Sequence, residues 1–136
     1  MNYWLVKSEP HKYSWEQFTQ DKETFWDGVR NYQARNNLRE MKKGDEVLFY
    51  HSNEGLCVVG IAVVKKEFYQ DPTTDDNRWV AVNLAPKKAL KRPITLSEIK
   101  ADPLLTEISL IKQSRLSVMP LKREEFDRIL ELGLGN

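Results

Sequence analysis

The stretch EVLFYHSNEGLCVVGIAVVKKEF, residues 46–68, decides the fold. Its first part, Glu46 to His51, mixes apolar and aromatic residues, and its second, Leu56 to Phe68, is rich in Val and Ile. Asn53, Glu54 and Gly55 between them supply turn chemistry. Two such runs predict neighbouring strands joined by a hairpin. The second run exceeds the about 5–6 residues of an average strand. Gly60 inside it predicts a bend or bulge, where the strand would curl around a small barrel.

Working outward, Gln33 to Met41 reads as a helix, because Ala34, Leu38 and Met41 fall on one face while Arg35 and Arg39 lie off it. Lys42, Lys43 and Gly44 suit its end. Ser14 and Gln17 form a capping-box signature before a short helix from Trp15 to Thr19, with Trp15 and Phe18 turned inward. Tyr3 to Val6 is a short strand that Ser8, Glu9 and Pro10 end. Phe25 to Asn31 has no period and is expected to be a structured loop.

Downstream, Gln70 to Asn77 is expected to be a mobile polar loop, and Trp79 to Leu84 a strand. Thr95 and Glu98 form a second capping box for a helix over Leu96 to Ala101, which Asp102 and Pro103 end. Glu107 to Ile111 and Arg115 to Met119 read as short strands. Lys122 to Leu132 reads as a helix with Phe126, Ile129 and Leu130 on its apolar face and Gly133 at its end. The expected fold is mixed α/β: five to six strands in a curled or closed sheet, with short helices at its edges. The regular strand–helix alternation of a doubly wound fold is missing. No repeat or linker divides the chain, so residues 1–136 are expected to form one domain.

Composition narrows the function. Of 136 residues, 40% are hydrophobic and 30% charged, with a net charge of +1, the balance of a folded globular chain. The longest apolar run, Leu56 to Val64, falls far short of the about 20 residues that cross a bilayer. No signal-peptide pattern opens the sequence. These features predict a cytoplasmic protein without a membrane partner, although a nuclear one would look the same. Cys57, the single cysteine, is expected to be a small core residue. With only His11 and His51 beside it, no metal-ligand spacing exists. There is no glycine-rich phosphate loop and no Gly-x-Ser-x-Gly elbow. Asp71, Asp75 and Asp76 lack the spacing of a calcium loop. Binding is therefore expected rather than catalysis, with no metal and no cofactor.

Two polar segments interrupt apolar ones. In the first, a strand delivers Lys7 and Ser8 at its end. In the second, Trp26 to Asn36 sets a glycine, arginines and amides among aromatic rings, the combination a planar base needs: ring faces stack and amides read the edge. Each aromatic also has a plain reading as core, and Asn31 one as a helix cap. Tyr50, His51 and Ser52 close a strand with hydrogen-bonding groups. Arg115 and Ser117 share one side of their segment, as an edge or a pocket wall. Lys87, Lys88, Lys91 and Arg92 form a basic cluster, either solvated or contacting phosphate.

Four stretches together resemble the EVE domain family, a branch of the PUA-like fold. They are Tyr3 to Pro10, Trp26 to Asn36, Gly44–Asp45 with Phe49 to Ser52, and Arg115 to Val118. The resemblance spreads over nearly the whole chain. It implies a curved pseudo-barrel sheet whose cleft accepts a nucleobase, including 5-methyl- and 5-hydroxymethylcytosine in DNA; related PUA-like modules bind RNA. Carried over by motif, the cleft is lined by Lys7, Ser8, Trp26, Gly28, Val29, Arg30, Asn31, Tyr50, His51, Ser52, Arg115 and Ser117. Lys87, Lys88, Lys91 and Arg92 would touch phosphates. The resemblance implies no metal or organic cofactor. The function expected is a non-catalytic reader of a modified base; the alternatives are an RNA-binding module or a protein-interaction module, and protein partners remain open.

Overall fold

The apolar run Trp4 to Val6, buried in succession, and a stop at Pro10 produce β1, Tyr3–Ser8. A computed structural model describes residues 1–135. Ser14 caps α1, Trp15–Asp21, accepting from the Gln17 amide, and Lys22 ends it in a left-handed conformation. A short strand, β2, spans Thr24–Trp26, inside the expected loop. Asn31 caps α2, Tyr32–Glu40. Then come β3, Glu46–His51, β4, Cys57–Gln70, and β5, Val80–Thr95. The Thr95–Glu98 capping box opens α3, Leu96–Ala101, which a 3-10 turn over Pro103–Leu105 follows. The rest is α4, Ser109–Lys112, β6, Val118–Leu121, and α5, Arg123–Leu134.

The six strands form one sheet in the order β2-β5-β4-β3-β1-β6. β1 and β3 run parallel, and the other pairs are antiparallel. The sheet is open. The expected curved PUA-like barrel is not what forms, because β2 and β6 end the ladder on opposite sides and do not pair. Their length gives the reason: β2 has three residues, and β6 has four, one of them Pro120, which has no N–H to donate. Helix α2 instead packs against β4, β5 and β6.

Four further expectations change. β5 runs on through the basic stretch to Thr95, paired with β4 across four register shifts that absorb the irregularities of both strands. Glu107 to Ile111 is not a strand: Ile111 and Lys112 both bond back to the Ile108 carbonyl, and the short α4 results. β6 begins only at Val118, after Arg115 to Ser117. Gly133 does not end α5. It lies inside the helix against Leu90, where a Cβ would come within 2.8 Å, and Gly135 makes the left-handed cap.

The core is built from the hairpin outward. Phe18, Leu48, Phe49 and Ala62 are fully buried, and Phe126 of α5 lies over Tyr3 with ring centres 4.4 Å apart. Phe18 stacks on Phe49 at 5.3 Å, and the Trp15 ring meets both edge-on. Gly60 permits this arrangement, since a Cβ there would sit 2.4 Å from the Trp15 ring. Asp45 accepts from the Trp4 indole at 3.0 Å and from the Lys42 amide at 3.0 Å, which ties β1 to the start of β3. Cys57 is buried as expected, and burial pushes its thiol pKa up.

Candidate nucleic-acid interface

At the C-terminal end of β1, the sheet and two loops enclose a cavity of about 450 Å³, within the range that holds small planar ligands. β1 supplies Lys7 and Ser8, the following turn Glu9, Lys12 and Tyr13, and β2 with its loop Thr24 to Arg30; Ser117 closes the far side. The Lys7 amide donates to the Ser117 carbonyl at 3.0 Å, and its ammonium donates to the Ser114 carbonyl at 2.7 Å. Burial lowers the Lys7 pKa. The Ser8 hydroxyl donates to the Tyr13 carbonyl at 2.5 Å, fixing the turn against the strand. The Trp26 ring is partly buried and meets Tyr13 and Phe49 at 76° and 84°, so neither neighbour stacks on it in parallel.

One wall is held from a distance. Asp71, expected in a solvated loop, is fully buried. It accepts from the Gly28 amide at 2.8 Å, the Arg30 guanidinium at 3.0 Å, the Thr73 amide at 2.7 Å and the Thr73 hydroxyl at 2.5 Å. Burial alone would raise its pKa. The bonds from Thr73, Gly28 and Arg30 outweigh that and hold it at about 2. Gly28 has φ +73°, a backbone shape that glycine adopts without strain, and this turns its amide toward Asp71. Arg30 also lies over the Trp79 ring at 5.5 Å, so the guanidinium is oriented on two sides.

Seven residues expected in the cleft meet in this cavity: Lys7, Ser8, Trp26, Gly28, Val29, Arg30 and Ser117. Asn31 and Arg115 line a second cleft of about 380 Å³ with Gln33 and Lys112 to Leu116. The Asn31 side chain is spent on the Ala34 amide at the start of α2. Tyr50, His51 and Ser52 line neither. Tyr50 is buried in the core, and Ser52 donates its amide to the Ser8 carbonyl. His51 Nε2 accepts from the Trp15 amide at 3.1 Å, and burial lowers the imidazole pKa.

Lys87, Lys88, Lys91 and Arg92 lie along β5, outside both clefts; Lys87 pairs with Glu46 and Arg92 with Glu98, each at 2.7 Å. Sequence reading missed Glu9, Lys12, Tyr13, Thr24, Phe25 and Asp27 as lining residues, and Asp71 as the anchor behind them. Glu9, Phe25 and Asp27 sat inside or beside quoted motifs and were legible by position; Asp71 was not. Among the described residues no group of three or more His, Cys, Asp or Glu is placed to hold a metal ion, and no helix is long and apolar enough to cross a membrane.

Residues 2–132 match the EVE domain. The chain belongs to the EVE domain family. Its relatives include mouse thymocyte nuclear protein 1, 41% identical over 96% of this chain and 73% of that one. An Agrobacterium tumefaciens protein of known crystal structure is 46% identical, covers 98% of this EVE chain and 93% of its own, and superposes with a TM-score of 0.96. Human thymocyte nuclear protein 1, solved in complex with DNA containing 5-methylcytosine, is 36% identical over 98% of both chains, with a TM-score of 0.90. The expectation of a cytoplasmic protein is overturned by the thymocyte nuclear protein 1 relatives, whose name places them in the nucleus.

Proposed function

We propose that this EVE chain is a non-catalytic nucleic-acid-binding module that reads a modified base, 5-methylcytosine or a close analogue, in the cavity beside β1. The whole chain acts as one domain, and its partner is nucleic acid. The observation that carries this is the cavity itself. It is formed from the two segments that mix aromatic rings with polar edges, in a fold shared closely with a relative solved on DNA containing 5-methylcytosine. Trp26 supplies a ring face, while Ser8, Ser117 and the loop amides supply edge contacts. Stacking and edge bonds offset the few kcal/mol that extruding a base from a duplex costs.

The strand leaves the cavity past Arg115, whose cleft adjoins the Lys7–Ser114 contact. A phosphate there is held by charge, which sets register rather than base identity. A single methyl group adds about 1 kcal/mol of apolar burial, so preference for the methylated base is graded rather than absolute. The test is titration at fixed salt of a duplex with one 5-methylcytosine, the unmodified duplex, and matching single-stranded DNA and RNA. Saturable binding is expected, tightest for the methylated duplex. RNA bound more tightly than any DNA would move the reading to an RNA module, and no saturable binding to any of them would overturn it.

A further inference from the structure

Outside the cavity and the Arg115 cleft, one further face joins charge to aromatic rings. It starts at the cavity wall. Arg30 lies over Trp79 at 5.5 Å, the Trp79 ring meets Tyr32 at 5.2 Å, and the Arg35 guanidinium lies over Tyr32 at 5.0 Å. One turn further along α2, Arg39 lies over Phe68 of β4 at 5.5 Å. Tyr32 and Phe68 are both exposed. Arg78 ties its loop to the helix: it donates to the Tyr32 hydroxyl at 3.1 Å, and its carbonyl accepts from Arg35 at 3.3 Å.

The acids of this face leave two of its arginines without a counter-charge. Asp71 pairs with Arg30 and Asp76 with Arg78. Arg35 donates only to the Asn36 side chain and the Arg78 carbonyl, and neither it nor Arg39 has an ion pair among the described residues. Glu40 and Asp75 are exposed acids on the same elements, so this is not a broad basic patch. What it offers is two guanidiniums laid on rings. A planar guanidinium stacked in this way is already oriented, and less of its freedom is lost when it binds an oxyanion through paired N–H donors. Arg35 and Arg39 stand one turn apart, about 6 Å along the helix. A nucleic-acid strand carries a phosphate about every 3.4 Å along the duplex axis, so one strand can meet both.

We infer that this flank of α2 is a second nucleic-acid contact, at which Arg35 and Arg39 hold phosphates of the strand beside the cavity and add affinity without reading its sequence. This rests on nucleic acid being the partner, and not on which base fills the cavity. Two observations choose the occupant. The face is continuous with the cavity wall through Arg30, Trp79 and Tyr32, so a chain with one base in the cavity passes close to it. Its unpaired groups are oriented guanidiniums rather than apolar side chains, which suits a phosphodiester backbone better than the apolar core of a protein interface.

The experiment titrates the whole chain with the methylated and the unmodified duplex over a range of salt concentrations. Each phosphate contact adds about 0.9 to the slope of log affinity against log salt. Arg35→Gln and Arg39→Gln should each lower the slope by that amount and weaken binding about eightfold at about 0.1 M salt. Both duplexes should lose affinity equally, so the preference between them stays. Arg35→Lys keeps the charge but not the stacked plane; it should keep the slope and lose less affinity than Arg35→Gln. Lys100→Gln removes one exposed charge from α3, which lines neither cleft, and is the control for net charge. Denaturant midpoints near the wild type show that the variants are folded. Four outcomes overturn the inference. If both glutamine variants keep the wild-type slope, the flank does not touch the backbone, and the base-cavity reading stands. If Lys100→Gln lowers the slope as much as Arg35→Gln, the effect is net charge alone. If the variants erase the preference between duplexes, they act through the cavity. If a polyglutamate peptide displaces the duplex from the wild type but not from Arg35→Gln, the flank belongs to an acidic protein partner. Should neither duplex bind at any salt concentration, the proposed function fails and takes this inference with it.

Discussion

β1 and β3 run side by side in parallel, with Lys7 opposite Tyr50 and Ser8 opposite His51, yet their ends are put to different use. The end of β1 opens on the cavity. The end of β3 turns into a closed cluster in which Trp15, Phe18 and Phe49 pack ring on ring and His51 receives a backbone amide. Both ends carry polar residues after an apolar run, so a one-dimensional reading treats them alike. They differ in what packs over each end: α1 lies over β3, whereas the end of β1 faces the short strand β2 and the loops beside it across the cavity. A polar strand end stays open as a cavity wall where no helix packs over it.

The largest effect should come from closing the gap on the β3 side. Gly60→Ala would put a methyl 2.4 Å from the Trp15 ring, and the ring has Phe18 and Phe49 on its other sides. Overpacking of this kind costs about 3 kcal/mol. Denaturant unfolding should show that loss at an m-value close to the wild type.

On the β1 side the matching change is Asp71→Asn. An amide keeps the shape but turns one acceptor into a donor, facing the Gly28, Arg30 and Thr73 donors. The expected cost is about 2 kcal/mol, the size of the wild-type shift from an ordinary carboxylate pKa. Because the folded Asp71 pKa of about 2 lies below its unfolded value, that stability is present above about pH 4 and is lost as pH falls toward 2. The gap between wild type and variant should therefore narrow over that range in acid titrations of unfolding. Base binding should weaken along with stability in this variant, because Gly28 and Arg30 belong to the cavity wall.

The same contrast explains what was legible in the sequence. Helix starts at Ser14, Asn31 and Thr95 could be read because each cap acts within three residues of itself. The core strands could be read because a run of apolar and β-branched residues is a local signal. The Asp71 wall could not, since Asp71 bonds to Gly28 across 43 residues and looks, in its own neighbourhood, like one of several loop acids. Sheet closure was misjudged for a related reason: whether β2 meets β6 depends on strand lengths and on α2, none of which Gly60 reports. Of the cavity lining, Lys7, Ser8, Trp26 and Gly28 to Arg30 were read from the two segments around β1 and β2, while Glu9 and Asp27 inside those segments were not. Tyr50 and His51 were polar enough to suggest a site, but Tyr50 is buried in the core and the His51 acceptor is already used by the first turn of α1.

The smallest effect separates the two strand ends most cleanly. His51→Ala removes the acceptor of the Trp15 amide at the first turn of α1 and leaves the cavity lining untouched. The loss should be about 1 kcal/mol, the ordinary net value of one hydrogen bond. Burial holds the folded His51 pKa below its unfolded value, so its contribution is complete above that unfolded value and disappears as pH falls through the folded one. Wild type should thus lose stability below about pH 6.5, and His51→Ala should lack that part of the decline. Affinity for the methylated duplex at neutral pH should stay unchanged. A drop in affinity with stability intact would place His51 in the site and remove the distinction between the two ends.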